Sequence, residues 1–360
     1  MLLVRRALPC VLVAAAALLF VAPIEPSFIE RWYSGRLYLQ FQPRATALSN
    51  QLPFAVFDVI LVAVAVTAVW ILVSAARGFR RGLRWRAAGT AAIRVLGLGA
   101  LLYLWFLAAW GLNYRRVPLL QRVELANDPP TAAVVLALGR QAVDHLNDLH
   151  APAHAAPWVE PWNDGRLQEA FRVTQRFLGG SRKAIPGRLK RSIIGTYFRW
   201  ASVDGMIDPF ALEVLANPDL LPFEKPFVAA HEWSHLAGYA DESEASFVGW
   251  LTCVRADAGA QYSAWVFLYW EVSSVVSAAD RASLSTALGS GPRADVAAVI
   301  ERVRRGQLPQ LRRVSWAAYD QYLKANRVEE GVRSYDAVIT LLARARFKND
   351  WVPIRRRPGT

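Results

Sequence analysis

Cysteine, histidine and acidic residues are scarce in this chain of 360 residues. The two cysteines, Cys10 and Cys253, lie far apart in different surroundings, which excludes a disulfide framework. Asp and Glu number 29 against 42 Lys and Arg, giving a formal net charge of +13. The basic clusters carry no interleaved aromatic residues and no nucleic-acid fold signature, so no nucleic-acid partner is expected. Hydrophobic residues reach 54%, which excludes a disordered chain.

Three long apolar runs within residues 1–114 predict a membrane anchor that contacts the lipid bilayer through three helices. They cover about 7–24, 54–76 and 91–112, and a helix needs about 20 apolar residues to cross a bilayer core of about 30 Å. The first run is short for a span and contains Pro9 and Pro23. Because it shows no clear small-x-small cleavage site, we expect an uncleaved anchor rather than a signal peptide.

Basic residues in the short loops predict the orientation of the anchor. The connection between the second and third runs holds five arginines and no acidic residue: Arg77, Arg80, Arg81, Arg84 and Arg86. Such loops stay in the cytoplasm. We therefore expect a multi-pass protein of the cytoplasmic membrane with a cytoplasmic N-terminus and an extracytoplasmic C-terminal domain.

The exported domain, residues 115–345, is predicted to be mainly α with a small sheet, an α+β arrangement. Apolar residues at helical spacing predict helices at 131–150 and 167–178, and 262–278 reads as a core helix rather than a fourth span. A β-like stretch at 202–216 lies before the central motif and is expected to offer an exposed edge to an extended peptide. Residues 346–360 are expected to form a basic tail.

The motif His-Glu-x-x-His occurs at 231–235. Residues four apart on a helix differ by about 40° in azimuth, so His231 and His235 can bind one Zn²⁺ ion. Glu232 lies about 100° around the helix, where it can reach a metal-bound water without coordinating the ion. Two histidines and one further ligand would leave the open position that hydrolysis needs, with Glu232 as general base.

A third ligand is expected from the segment that follows Gly238. Glu244 shares a helix face with Phe247, Val248 and Leu251, where a buried carboxylate needs a cation, so Glu244 is the predicted ligand. A capping role for Glu244 is the rival interpretation. Asp241 ranks second as a ligand, and it is also the expected N-cap of the next helix. Glu242 is expected to be a solvated acid or a partner of a ligand.

Stabilisation of the oxyanion requires a further hydrogen-bond donor near the metal. The sequence offers tyrosines for this role, and the candidates are Tyr262, Tyr319, Tyr322 and Tyr335. Nothing in the sequence selects one of them.

The chain resembles a bacterial family of membrane proteins known only as a domain of unknown function, whose members join N-terminal spans to an exported zincin-like domain. The matching stretches lie at 53–54, 110–115, 118–119, 231–247, 319–324 and 331–335. The piece Glu244-Ala245-Ser246-Phe247 is also similar to gluzincin peptidases, where such a glutamate is the third ligand. Two departures are a shorter gap from His235 to Glu244, and Val248 where gluzincins often have Asp. The resemblance implies a bacterial inner-membrane peptidase.

Two functions are consistent with these features, and a third is excluded. The leading one is a membrane-anchored zinc metallopeptidase that hydrolyses peptide bonds of a peptide or protein substrate in the cell envelope. The alternative is a non-catalytic zinc-binding envelope scaffold, against which an intact Glu232 argues. An intramembrane protease would need the motif helix to span the bilayer, and Glu224 and Lys225 make that segment too short and too polar.

Overall fold

The fold is known from a computed structural model that describes residues 2–179, 184–328 and 337–356. Within these residues the chain is mainly α-helical and contains a small three-stranded sheet, which confirms the mainly α prediction. The apolar helices come first, and the candidate site lies in the second half of the chain.

The elements follow in chain order. The α-helices are α1 Leu2–Val21, α2 Pro26–Phe28, α3 Tyr38–Gln51, α4 Val56–Arg80, α5 Arg84–Ala109, α6 Ala132–His154, α7 Gly165–Gly179, α8 Gly195–Ala201, α9 Lys225–Leu236, α10 Glu242–Cys253, α11 Ala258–Val275, α12 Ala278–Ala287, α13 Ser290–Gly306, α14 Pro309–Ala325 and α15 Ala337–Arg344. A π-helical segment, Ile29–Leu37, joins α2 to α3. The strands are β1 Leu189–Lys190, β2 Gly205–Asp208 and β3 Glu213–Ala216.

Several helices begin at a residue whose side chain accepts a hydrogen bond from a free backbone N–H of the first turn. Thr131 caps α6, Asp257 caps α11 and Ser277 caps α12 in this way. These residue types are the preferred N-caps because their oxygen replaces the missing intrahelical acceptor. The helix starts are thus encoded locally.

Among the described residues, two helices are long and apolar enough to cross a membrane, α4 with 25 residues and α5 with 26. At about 1.5 Å per residue both exceed a bilayer core of about 30 Å. A third candidate arises if Leu8–Val21 of α1 is taken together with the helical segment Pro26–Gln51, and these two parts are bent by 112°. α1 packs against α5, where Pro9 lies against Gly97.

The segment between α1 and α4, which the sequence suggested was a connection between spans, is helical and packs against the later domain. The Tyr38 hydroxyl donates to the Leu236 carbonyl (2.7 Å), and the Thr46 hydroxyl donates to the Leu212 carbonyl (2.7 Å). Phe106 and Leu107 at the end of α5 join the same hydrophobic core. The expected boundary at residue 114 is therefore not a break in the packing.

The sheet has the order β1-β3-β2, with β1 parallel and β2 antiparallel to β3. β2 and β3 fall within the predicted stretch 202–216. A buried ion pair between Lys190 and Glu213 (2.7 Å) lies on the sheet. Glu213 also accepts a hydrogen bond from the Phe57 N–H in the first turn of α4 (2.8 Å), which connects the sheet to a membrane-length helix.

Helices α6, α7, α9, α10 and α11 form the core around the motif. Trp233 on α9 and Trp250 on α10 are fully buried, and Trp250 packs edge-on against Trp265 on α11 with ring centroids 5.4 Å apart. The predicted core helix at 262–278 corresponds to α11, Ala258–Val275, and half of its residues are buried. α6 continues to His154 despite Pro152, beyond the predicted end at residue 150.

The C-terminal residues up to 356 pack against the domain. Antiparallel bridges pair Leu125 with Ala345, and Val123 with Arg355. Trp351 contacts the ring of Trp250 at 5.0 Å between centroids. The segment expected to be a basic tail thus contacts the domain through bridges and aromatic rings as far as residue 355, and residues 357–360 lie outside the described part.

Candidate metal centre

The motif helix α9 is buried on almost every side, and it ends where Gly238 turns the chain. Gly238 has φ +81°, a left-handed conformation that glycine adopts without strain. Asp241 then starts α10, and its Oδ1 accepts hydrogen bonds from the Ser243 N–H (2.9 Å) and the Glu244 N–H (3.1 Å). This short connection brings the first residue of α10 back toward the histidines of α9.

The structure brings His231, His235 and Glu242 together, with one ligand atom from each close to the other two. The two Nε2 atoms are 3.1 Å apart. Glu242 Oε2 lies 3.3 Å from Nε2 of His231 and 3.4 Å from Nε2 of His235. Ligand atoms about 2.0 Å from a tetrahedral ion lie about 3.3 Å from one another. The three atoms thus have the spacing of three corners of a tetrahedral metal site.

Both imidazoles are held through their other nitrogen. His235 Nδ1 lies 2.7 Å from the Tyr239 carbonyl oxygen, and His231 Nδ1 lies 3.2 Å from the Ser246 hydroxyl. Because a carbonyl oxygen only accepts, His235 Nδ1 must carry the proton, which leaves Nε2 unprotonated in the neutral ring. Such contacts orient metal-binding histidines and increase their basicity.

Tyr319 on α14 orients the carboxylate of the cluster. Its hydroxyl donates to Glu242 Oε1, so the other oxygen, Oε2, faces the imidazoles. Tyr319 was one of four candidates for stabilising an oxyanion, and its hydroxyl is instead directed to Glu242. Of the other three, Tyr262 donates to Asp295, Tyr322 packs beside Tyr114, and Tyr335 lies outside the described residues.

Glu232 is buried next to the imidazole pair. Among the described residues, its Oε2 has no hydrogen-bond partner, and the same holds for Oε2 of Glu242. A Cβ added to Gly205 on β2 would come within 2.6 Å of Glu232 Oε1, so this strand packs directly on the glutamate. Two buried carboxylate oxygens that lack hydrogen bonds, one of them beside two imidazoles, suit a cation and its bound water better than an apolar core.

Glu244, the ligand predicted from the sequence, is not in this cluster. Its Oε1 accepts a hydrogen bond from the Leu119 N–H. Asp241, the second candidate, serves as the N-cap of α10. Glu242 takes the place expected for Glu244, because the face of α10 that meets α9 is the one that carries Glu242.

The small residues on that face explain the close approach of the two helices. A Cβ added to Gly249 would lie 2.9 Å from the backbone nitrogen of His231. Ser246, one turn earlier, reaches His231 Nδ1. Glu242, Ala245, Ser246 and Gly249 share this face, so the run of small residues was the signal that could have identified Glu242.

Charge and burial act in opposite directions on the titrating groups. Burial favours a raised pKa for Glu242, but the imidazoles of His235 and His231 outweigh it and hold this pKa well below its usual range. Burial favours a lowered pKa for His235, but Glu242 and Glu232 outweigh it and raise the pKa to about 9. Burial raises the pKa of Glu232 despite both histidines. The two carboxylates therefore stabilise a positive charge at the imidazole of His235.

Three side chains from the first third of the chain donate hydrogen bonds to backbone carbonyls at the C-terminal end of α9. The Trp110 indole N–H, one residue beyond α5, donates to the His235 carbonyl (2.9 Å). Tyr38 donates to the next carbonyl, that of Leu236, and Arg116 donates to that of Gly238 (2.8 Å). Carbonyls in the last turn of a helix lack intrahelical partners. The histidine pair is thus attached to the end of a membrane-length helix, which sequence patterns did not indicate.

These features describe a mainly helical chain with membrane-length helices and a cluster of two histidines and a glutamate. The chain belongs to the family described as "Protein of unknown function (DUF3810)", which matches residues 33–343. No curated protein and no solved structure matches the chain.

Proposed function

We propose that this protein is a membrane-anchored zinc metallopeptidase in which His231, His235 and Glu242 bind the ion. The spacing of 3.1 to 3.4 Å among their three ligand atoms is the observation that carries the proposal. Two imidazoles and one carboxylate form a usual catalytic zinc set with an open position. Glu242 replaces Glu244 in the proposed set.

Glu232 is proposed as the general base. When bound, zinc lowers the pKa of a coordinated water to about 7 and polarises a carbonyl. Glu232 follows His231 directly, and its Oε2 is free among the described residues to accept a proton and pass it to the leaving amine. Gly205 on β2 lies directly against the Glu232 carboxylate, and we propose that this packing positions the base.

The proposed location is the outer side of the bacterial cytoplasmic membrane. α4 and α5 form a hairpin whose connection is rich in arginine, which favours a cytoplasmic tip. Trp110 follows α5 directly and contacts His235, so the site lies beside the membrane end of that helix. The expected substrates are therefore peptide segments that come close to the outer face of the cytoplasmic membrane.

The test combines zinc content with hydrolysis. Replacing Glu232 with Gln is expected to leave zinc bound and to reduce hydrolysis of unfolded proteins and cell-wall peptides by at least about a hundredfold. Glu169→Gln, on the exposed face of α7, is the matched control and should retain activity. Full activity of Glu232→Gln would contradict the proposal. Zinc binding without hydrolysis in any variant would favour the envelope scaffold.

A further inference from the structure

A second cluster of histidines lies near the C-terminal end of α6. His150 and His154 are four residues apart, and Asp295 of α13 faces both. Asp295 Oδ2 lies 2.9 Å from Nε2 of His154 and 3.6 Å from Nε2 of His150. Four of the five histidines in the chain thus occur in pairs at this spacing, each pair with a carboxylate from another helix.

The surroundings keep these three side chains together. The Tyr262 hydroxyl on α11 donates to Asp295 Oδ2 (2.5 Å) and fixes the carboxylate. A Cβ on Gly291 would overlap the imidazole of His150, so the glycine leaves the room that this ring occupies. The rings of His150 and His154 lie 4.4 Å apart between centroids. The cluster is therefore built by three helices rather than by a chance surface contact.

The chemistry of the ligand atoms selects the class of ion. Two imidazoles and a carboxylate suit Zn²⁺, Cu²⁺ or Ni²⁺, whereas Mg²⁺ and Ca²⁺ prefer oxygen ligands. The two histidine side chains are 29% and 32% exposed, so an ion can enter from solvent. An ion would need Oδ2 and Nε2 of His154 to separate from 2.9 Å toward about 3.3 Å.

We propose that His150, His154 and Asp295 form a second binding site for a divalent transition-metal ion such as zinc. Ala151 follows His150, so this pair lacks the glutamate that Glu232 supplies in the motif. The ion would connect the end of α6 to α13 and would stabilise the fold rather than hydrolyse substrate. The site does not depend on the proposed peptidase activity.

The experiment counts zinc ions on the tag-free full chain in detergent. The protein is stripped with a chelator, equilibrated with buffered Zn²⁺, desalted and analysed for metal by mass spectrometry. We expect two equivalents for the wild type and one for Asp295→Asn, which keeps the shape and the contact with Tyr262. His145→Gln is the matched control, because His145 lies on the same helix but stacks on Trp265; it should retain both equivalents.

Asp295→Asn decides the question whatever the wild-type total. Loss of one equivalent supports the second site even if the first site binds nothing, and an unchanged total overturns it. His235→Gln should remove a different equivalent, so the combined variant should bind none. His154→Gln repeats the test independently, and circular dichroism of each variant verifies that the helices are intact.

Discussion

The two histidine pairs share a spacing and a facing carboxylate, and they differ in burial and in how the imidazoles are held. Each pair lies at positions four apart on a helix and faces a carboxylate from another helix. His231, His235 and Glu242 are 14%, 8% and 6% exposed, whereas His150 and His154 are about one-third exposed. In the first pair both Nδ1 atoms are held, while neither Nδ1 of the second pair has a hydrogen-bond partner among the described residues.

This difference separates metal binding from catalysis. The i, i+4 spacing alone can produce a pair of ligands on any helix. A hydrolytic site also needs a base beside the ligands, groups that fix the imidazoles, and a wall that limits water. Under the proposed function, Glu232, Ser246 and Gly205 would supply these features to the first pair. A comparison of the two pairs therefore tests which of these features hydrolysis needs in addition to metal binding.

The largest expected effect concerns the third ligand of the first pair. Glu242→Gln should lower zinc affinity at that site more than about a hundredfold, because it removes a charged ligand rather than a supporting contact. Glu244→Gln keeps an oxygen for the Leu119 N–H and should leave the affinity nearly unchanged. Competition with a chromophoric chelator measures both. The opposite result would restore the sequence-based choice of Glu244.

The sequence predicted the class of fold and the helix that carries the histidine motif, because these depend on local patterns. Apolar length identified α4 and α5, and the histidine spacing identified α9. Two of the three strands, β2 and β3, lie within the predicted β-like stretch at 202–216, whereas β1 was not predicted. These features follow from composition and period, without knowledge of distant neighbours.

The carboxylate that lies beside the two histidines could not be predicted from hydrophobic periodicity. Every residue of α10 is buried, so the helix has no solvent face. Its apolar face therefore does not indicate which side of the helix meets the histidines. Glu244 is buried on the large apolar face but contacts the backbone of Leu119. The distant partners Trp110 and Tyr319 depend on tertiary packing, which local sequence patterns do not specify.

A smaller effect is expected where β2 packs on Glu232, the proposed general base. Gly205→Ala should reduce hydrolysis by about a hundredfold, because the added Cβ displaces Glu232 and a shift of about 1 Å at a reacting group has that cost. Zinc binding at both histidine pairs should be unchanged. Gly165→Ala, with open space around the added carbon, is the control. Unchanged hydrolysis in Gly205→Ala would show that the strand does not position Glu232.

The smallest effect concerns the hydroxyl that holds His231. Ser246→Ala removes the contact to Nδ1 and should lower zinc affinity of the first pair by about tenfold, within the range for such supporting groups. Thr252→Ala on the same helix also removes a buried hydroxyl, but this one donates to the Val248 carbonyl. It should leave zinc affinity unchanged in the same chelator titration. Equal losses in the two variants would mean that general weakening of α10, rather than orientation of the imidazole, distinguishes the first pair from the second.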